Sequence, residues 1–94
     1  MIKGFRCADT KALFETGKCK RFAAIVKVAT RQLAQLDAAQ TLEFLRSPPG
    51  NRLEALKGNR KGQYSIRVND QWRVCFEWPK GSKGPITVEI VDYH

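Results

Sequence analysis

No stretch of these 94 residues stays apolar for the roughly 20 positions that a membrane-spanning helix needs. The opening Met1-Ile2-Lys3-Gly4-Phe5-Arg6 lacks the apolar block of a signal peptide, so the chain is expected to stay in the cytoplasm. Soft metal ligands are scarce too. There is one histidine, and the three cysteines Cys7, Cys19 and Cys75 show no C-x-x-C spacing. A structural zinc site needs closely paired ligands, and an odd cysteine count in a cytosolic chain means reduced thiols, so neither a metal nor a cofactor is expected. Internal repeats and low-complexity segments are missing, which leaves one domain over residues 1–94. Acidic residues are few: nine oppose seventeen basic ones, giving a formal charge of +8 and a strong bias toward polyanions. No lipidation signal or isolated basic amphipathic tail points that charge at a membrane. The basic residues cluster, so nucleic acid outweighs mere solubility as its explanation.

What the chain does contain is periodic. Hydrophobic residues make up 43% of it, enough for one core. Residues 2–6 read as a short strand. Asp9 is a plausible N-cap for a helix over Thr10–Thr16, with Gly17 as its stop. Phe22, Ile25, Val26, Ala29, Leu33 and Leu36 form the buried stripe of a second helix over Lys20–Leu36. Asp37 and Gln40 make a box-like cap for a short third helix ending near Arg46, before Pro48 and Pro49. The second half changes to period two. Gln63–Asn69, Gln71–Trp78 and Pro85–Asp92 alternate apolar and polar residues as strands do. Helices before a meander of strands predict an α+β domain: an antiparallel sheet of about four strands with two to three helices on one face.

The alternation also fixes a register. Tyr64, Ile66 and Val68 must share a face with Trp72, Val74, Phe76 and Trp78, which requires a turn of odd length, most simply Asn69-Asp70-Gln71. That turn pairs Val68 with Trp72 and sets Arg67 directly across from Arg73 on the polar face. Opposed like charges cost a few tenths of a kcal/mol or more. Such a pair either meets an anion, or splays into water or finds carboxylates such as Glu77 or Glu89.

Between Arg46 and Arg73 lie seven basic residues (Arg46, Arg52, Lys57, Arg60, Lys61, Arg67 and Arg73), opposed by Glu54 and Asp70. The run Lys57-Gly58-Asn59-Arg60-Lys61-Gly62 is a glycine-hinged basic loop able to follow a phosphate backbone. Tyr64 and Trp72 fall on the core face, which leaves Tyr93 as the better residue for stacking a base. The segment Asp92-Tyr93-His94 brings together a proton acceptor, a phenol and an imidazole. RNA is cut without metal when a base takes the proton of a 2′-hydroxyl, which attacks the neighbouring phosphate. A second group protonates the leaving 5′-oxygen, and cations stabilise the charge that builds on the phosphate. His94 has the intrinsic pKa for either transfer, and Arg73, with Arg67 or Lys57, can supply the cations.

The stretch Leu53-Glu54-Ala55-Leu56-Lys57-Gly58-Asn59-Arg60-Lys61-Gly62-Gln63-Tyr64-Ser65-Ile66-Arg67-Val68 resembles the L-x-x-L-K-G-x-R-x-G-x-x-S-I-x-V segment of HigB toxins. Gln71-Trp72-Arg73-Val74-Cys75-Phe76 is similar to that family's x-W-R-hydrophobic-x-F strand, and Val91-Asp92-Tyr93-His94 to its D-Y-H ending. Met1-Ile2-Lys3-Gly4-Phe5 and Leu13-Phe14-Glu15-Thr16-Gly17 also fit, so the likeness runs the length of the chain.

The resemblance implies a RelE-like fold and a toxin of a type II toxin–antitoxin pair: an endoribonuclease that cuts mRNA in the ribosomal A site and arrests translation. It implies mRNA and ribosomal RNA as partners, with a HigA-type helix-turn-helix antitoxin through which any DNA contact would pass. The rival is a non-catalytic module that blocks translation by occupying the ribosome. By position, Arg73 matches the strand arginine that steadies the scissile phosphate, and Asp92, Tyr93 and His94 match the C-terminal active cluster. Gln71 falls where related toxins place a polar active-site side chain, and Lys57 and Arg60 match basic positions that face RNA, with Lys61 and Arg67 beside them. The chain departs from members with a histidine after the first leucine of L-x-x-L-K-G, because Glu54 stands there. Glu54 is then either a general base or a partner of Arg52 or Lys57.

Overall fold

The computed structural model describes residues 1–47 and 49–92. Helix α1 spans Ala8–Thr16 and helix α2 spans Val26–Ala38. Four strands follow: β1 Glu54–Ala55, β2 Gln63–Arg67, β3 Trp72–Glu77 and β4 Ile86–Asp92. They pair antiparallel in sequence order, as the expected α+β class requires. Residues alternate between the sheet's faces. Ile66, Val74, Phe76, Val88 and Ile90 face a single core with Leu13, Phe22, Ile25, Ala29, Leu33 and Leu36 from the helical half. Trp72 meets Phe22 edge-on with ring centroids 5.6 Å apart, and Tyr64 stacks on Phe76 at 6.2 Å. Both rings are spent on packing, as the period-two pattern indicates.

The register follows from parity as expected. Arg67 faces Arg73, and the Val68 N–H donates to the Trp72 carbonyl at 3.0 Å. Asn69 closes the turn by accepting from the N–H groups of Gln71 and Trp72 at 2.9 and 2.8 Å. This is the local competition for backbone donors that favours asparagine in turns.

The helical half departs from expectation at its boundaries. Helix α1 starts earlier, with Cys7 as its N-cap residue. Asp9 lies in the first turn, where its charge suits the helix dipole, and pairs with Arg21 at 3.4 Å. Gly17 ends α1 as expected, in the left-handed conformation at φ 76°. The expected Lys20–Leu36 helix is two pieces, a 3₁₀ segment over Lys20–Ile25 and then α2. The chain kinks at Phe22, which leaves helical geometry at φ −111° and ψ 19°, and both Phe22 and Ile25 are buried in the core. Asp37 caps nothing. It lies within α2 and accepts the Ile2 N–H at 3.0 Å, while Thr41 caps a 3₁₀ turn over Leu42–Arg46.

Residues 2–6 make a single parallel bridge, Phe5 to Val88, rather than a strand. The Arg6 N–H donates to the Val88 carbonyl at 3.0 Å and the Val88 N–H to the Gly4 carbonyl at 3.1 Å. Two residues on, the Ile90 N–H donates to the Thr10 hydroxyl at 3.0 Å, so α1 displaces the segment before a ladder can lengthen. The fourth strand is β1 instead, which pairs Glu54 with Ser65 and Ala55 with Tyr64.

Candidate functional site

Helices cover one face of the sheet, so parity turns Arg67, Arg73 and Val91 to the other, with Glu54, Ser65, Cys75 and Glu89 forming the next row across the strands. Ser65 and Cys75 are fully buried although they lie on the face opposite the core. The charged side chains around them form the cover. Burial pushes the Cys75 thiol up to about 11, with Glu89 adding to the rise and Arg60 and Arg73 opposing it. The Ser65 hydroxyl has no hydrogen-bond partner among the described residues. The sheet thus offers a small-residue floor beneath a charged rim.

One end of the sheet gathers half of the expected site: Glu54, Arg67, Gln71, Arg73 and Asp92. Arg73 is 21% exposed and its guanidinium donates to Glu54 Oε1 at 3.3 Å, the carboxylate side chain being 51% exposed. Arg67 pairs with Asp70 of the turn, whose side chain is 98% exposed. Gln71 Nε2 donates to Asp92 Oδ2 at 3.1 Å, and Asp92 stands opposite Trp72 at the end of β4. The opposed arginines therefore find Asp70 and Glu54, not Glu77 or Glu89. Glu54 pairs with Arg73 rather than with Arg52 or Lys57. Ion pairs this open to water hold by about 0–1 kcal/mol, so a phosphodiester can exchange for either carboxylate. Tyr93 and His94 lie outside the described residues.

The basic loop is placed differently. It joins β1 to the Gln63 end of β2, opposite the end that carries Arg67 and Arg73. Lys57 and Lys61 are exposed there. Arg60 turns back over the sheet, donating to Gln63 Oε1 at 3.0 Å and pairing with Glu89 at 3.6 Å. Arg6 pairs with the same carboxylate oxygen, also at 3.6 Å. Sequence reasoning missed Arg6, Asn59, Gln63 and Glu89 as a group. The parity of Glu89 with Cys75 and Ser65 is the signal that could have placed it on this face.

Residues 3–94 match the family described as RelE-like toxin of type II toxin-antitoxin system HigB. Toxin HigB-1 of Vibrio cholerae serotype O1 is 59% identical over 51 residues, a match covering 54% of each chain and so about half the length of that relative. Endoribonuclease HigB of Proteus vulgaris is 34% identical over 95 residues, 100% of both chains. An uncharacterized protein of Haemophilus influenzae is 41% identical over 70 residues, 74% of this chain and 69% of that one.

Proposed function

We propose that this chain, which belongs to the HigB family of RelE-like toxins of type II toxin–antitoxin systems, is an endoribonuclease that cuts mRNA in the ribosomal A site. The observation that carries the reading is the facing pair Arg67 and Arg73 on the uncovered sheet face, at the same end of the sheet as the Gln71–Asp92 hydrogen bond. Like charges held opposite one another are a standing site for an anion. A phosphodiester bridging them exchanges for Glu54 and Asp70, and Arg73 then stabilises the charge that develops on the phosphate. The 2′-hydroxyl loses its proton to a base and attacks phosphorus, and the 5′-oxygen leaves with a proton from an acid. Glu54, once displaced from Arg73, stands next to the phosphate as the base. Asp92, with Tyr93 and His94 after it, supplies the remaining proton donor and acceptor groups assigned by the family resemblance. Lys57 and Lys61 hold ribosomal or messenger RNA away from the cut, and Arg60, turned back over the sheet, meets RNA nearer to it. Among the described residues no helix is long and apolar enough to cross a membrane; the place of work proposed with this function is the cytoplasm, where ribosomes translate mRNA. A HigA-type helix-turn-helix antitoxin encoded beside the toxin would silence it and carry any DNA contact.

Primer extension on mRNA from cells expressing the protein tests the nuclease. Discrete new 5′ ends appear, and they vanish in Arg73→Ala. Purified protein cuts mRNA on translating ribosomes and leaves the same mRNA whole in their absence. Growth arrest without new ends overturns the assignment. It would favour blockade by occupancy, the reading to which the existing carboxylate partners of both arginines lend weight.

A further inference from the structure

Beside the arginine pair, Arg6, Asn59, Arg60, Gln63 and Glu89 line a pocket of about 370 Å³ on the same uncovered face. Every lining side chain is polar, and their chemistry is mixed: two guanidiniums, two carboxamides and one carboxylate. A site built only to hold phosphate has no use for a carboxylate at its centre. Glu89 is nonetheless central, with a side chain 16% exposed and an oxygen shared by Arg6 and Arg60 at 3.6 Å each. Donors and an acceptor set side by side match the edge of a nucleobase, and guanidinium planes serve as surfaces on which an unstacked base can lie.

The position fits as well. Glu89 pairs with Cys75, two residues along β3 from Arg73, which sets it roughly 6–7 Å along the strand and about 5 Å across to β4, about 8 Å in all. That is about the step between neighbouring nucleotides of an extended single strand. Resting on the RNA-cutting reading of the neighbouring arginines, we infer that this pocket receives the base of a nucleotide adjacent to the cut. There the Glu89 carboxylate accepts a hydrogen bond from the exocyclic amino group of that base, while Arg60 or Arg6 donates to the adjacent ring nitrogen or carbonyl. Cytosine presents this pattern with its 4-amino group and N3, as adenine does with its 6-amino group and N1. Uracil, of nearly the same size as cytosine, puts a carbonyl oxygen where the amino group would be and faces the carboxylate with like polarity.

Fluorescence anisotropy with labelled hexamers of 2′-O-methylcytidine and 2′-O-methyluridine, which resist cleavage, tests the pocket on the intact protein. The cytidine hexamer binds roughly tenfold tighter. In Glu89→Gln, of equal size, the preference falls to about twofold or less, because the uridine hexamer gains affinity as the carboxylate charge is removed. Equal binding of the two hexamers by the unaltered protein leaves RNA recognition standing and overturns the base pocket. So does a preference that survives Glu89→Gln. A uniform loss of affinity for both hexamers in Glu89→Gln assigns Glu89 to holding the arginines and overturns it likewise. Binding of neither hexamer by a protein that still cuts mRNA on ribosomes overturns the pocket and leaves the RNA-cutting reading standing.

Discussion

Glu54 has two possible roles, and they differ in sign. As an ion-pair partner it merely competes with phosphate for Arg73, whereas as a base it is required for the cut. Glu54→Gln keeps the shape and removes both the charge and the basicity. The expected result is a fall in the single-turnover cleavage rate of about 10²–10⁴-fold with ribosome affinity kept or raised. A variant that cuts at full rate removes Glu54 from the chemistry. The cysteines separate in the same way. Burial raises the pKa of the Cys7 thiol, but hydrogen bonds from Thr10 and Asp9, with Arg21 nearby, outweigh it and leave it lowered. Cys75 is buried and raised to about 11. Iodoacetamide should therefore label Cys7 well before Cys75 in the folded protein, as peptide mapping would show. The folded state keeps the Cys75 proton that the unfolded chain gives up near its ordinary value of 9.0. Stability is thus fully present below pH 9 and declines toward pH 11, by roughly 2–3 kcal/mol, and the decline shrinks in Cys75→Ala. Urea unfolding across that range reads it.

Among the elements, the β2–β3 hairpin was the most legible in the sequence. Period two and a shared core leave only odd turns, so Val68, Trp72 and the facing arginines follow without any knowledge of the rest of the chain. The site's upper half was legible for the same reason. Element β1 was not. Two exposed residues carry no alternation, and what makes them a strand is the neighbouring β2 edge. Residues 2–6 misled in the opposite sense, because their apolar content serves one bridge and a handover into α1. The path by which Arg60 returns to Glu89 depends on the 3₁₀ turn at Gly58–Arg60 and was not readable from spacing. The hairpin's dependence on Asn69 is testable. Asn69→Ala leaves the N–H groups of Gln71 and Trp72 without their acceptor and should cost about 1 kcal/mol, the turn being exposed to water. A midpoint unchanged in denaturant would show that the turn closes without it.

At the scale of the whole molecule, the chain's charge of +8 includes two basic groups at opposite ends of the sheet, Arg67 and Arg73 at one and the Lys57–Lys61 loop at the other. Lys57 and Lys61 are exposed at the far end, whereas Arg60 is already committed to Glu89. Replacing either lysine by alanine should reduce the slope of log affinity against log salt by about 0.7–0.9, and an unchanged slope would take it off the RNA surface. The border of the sheet along β4 carries a different consequence. The Ile90 amide is met there by the Thr10 hydroxyl, a side chain standing where the carbonyl of another strand would be. With its amide satisfied in this way, Ile90 gives a second copy no free donor to pair with along β4. Thr10→Val would free that donor, and molecules that lose the hydroxyl should go on to self-associate through β4.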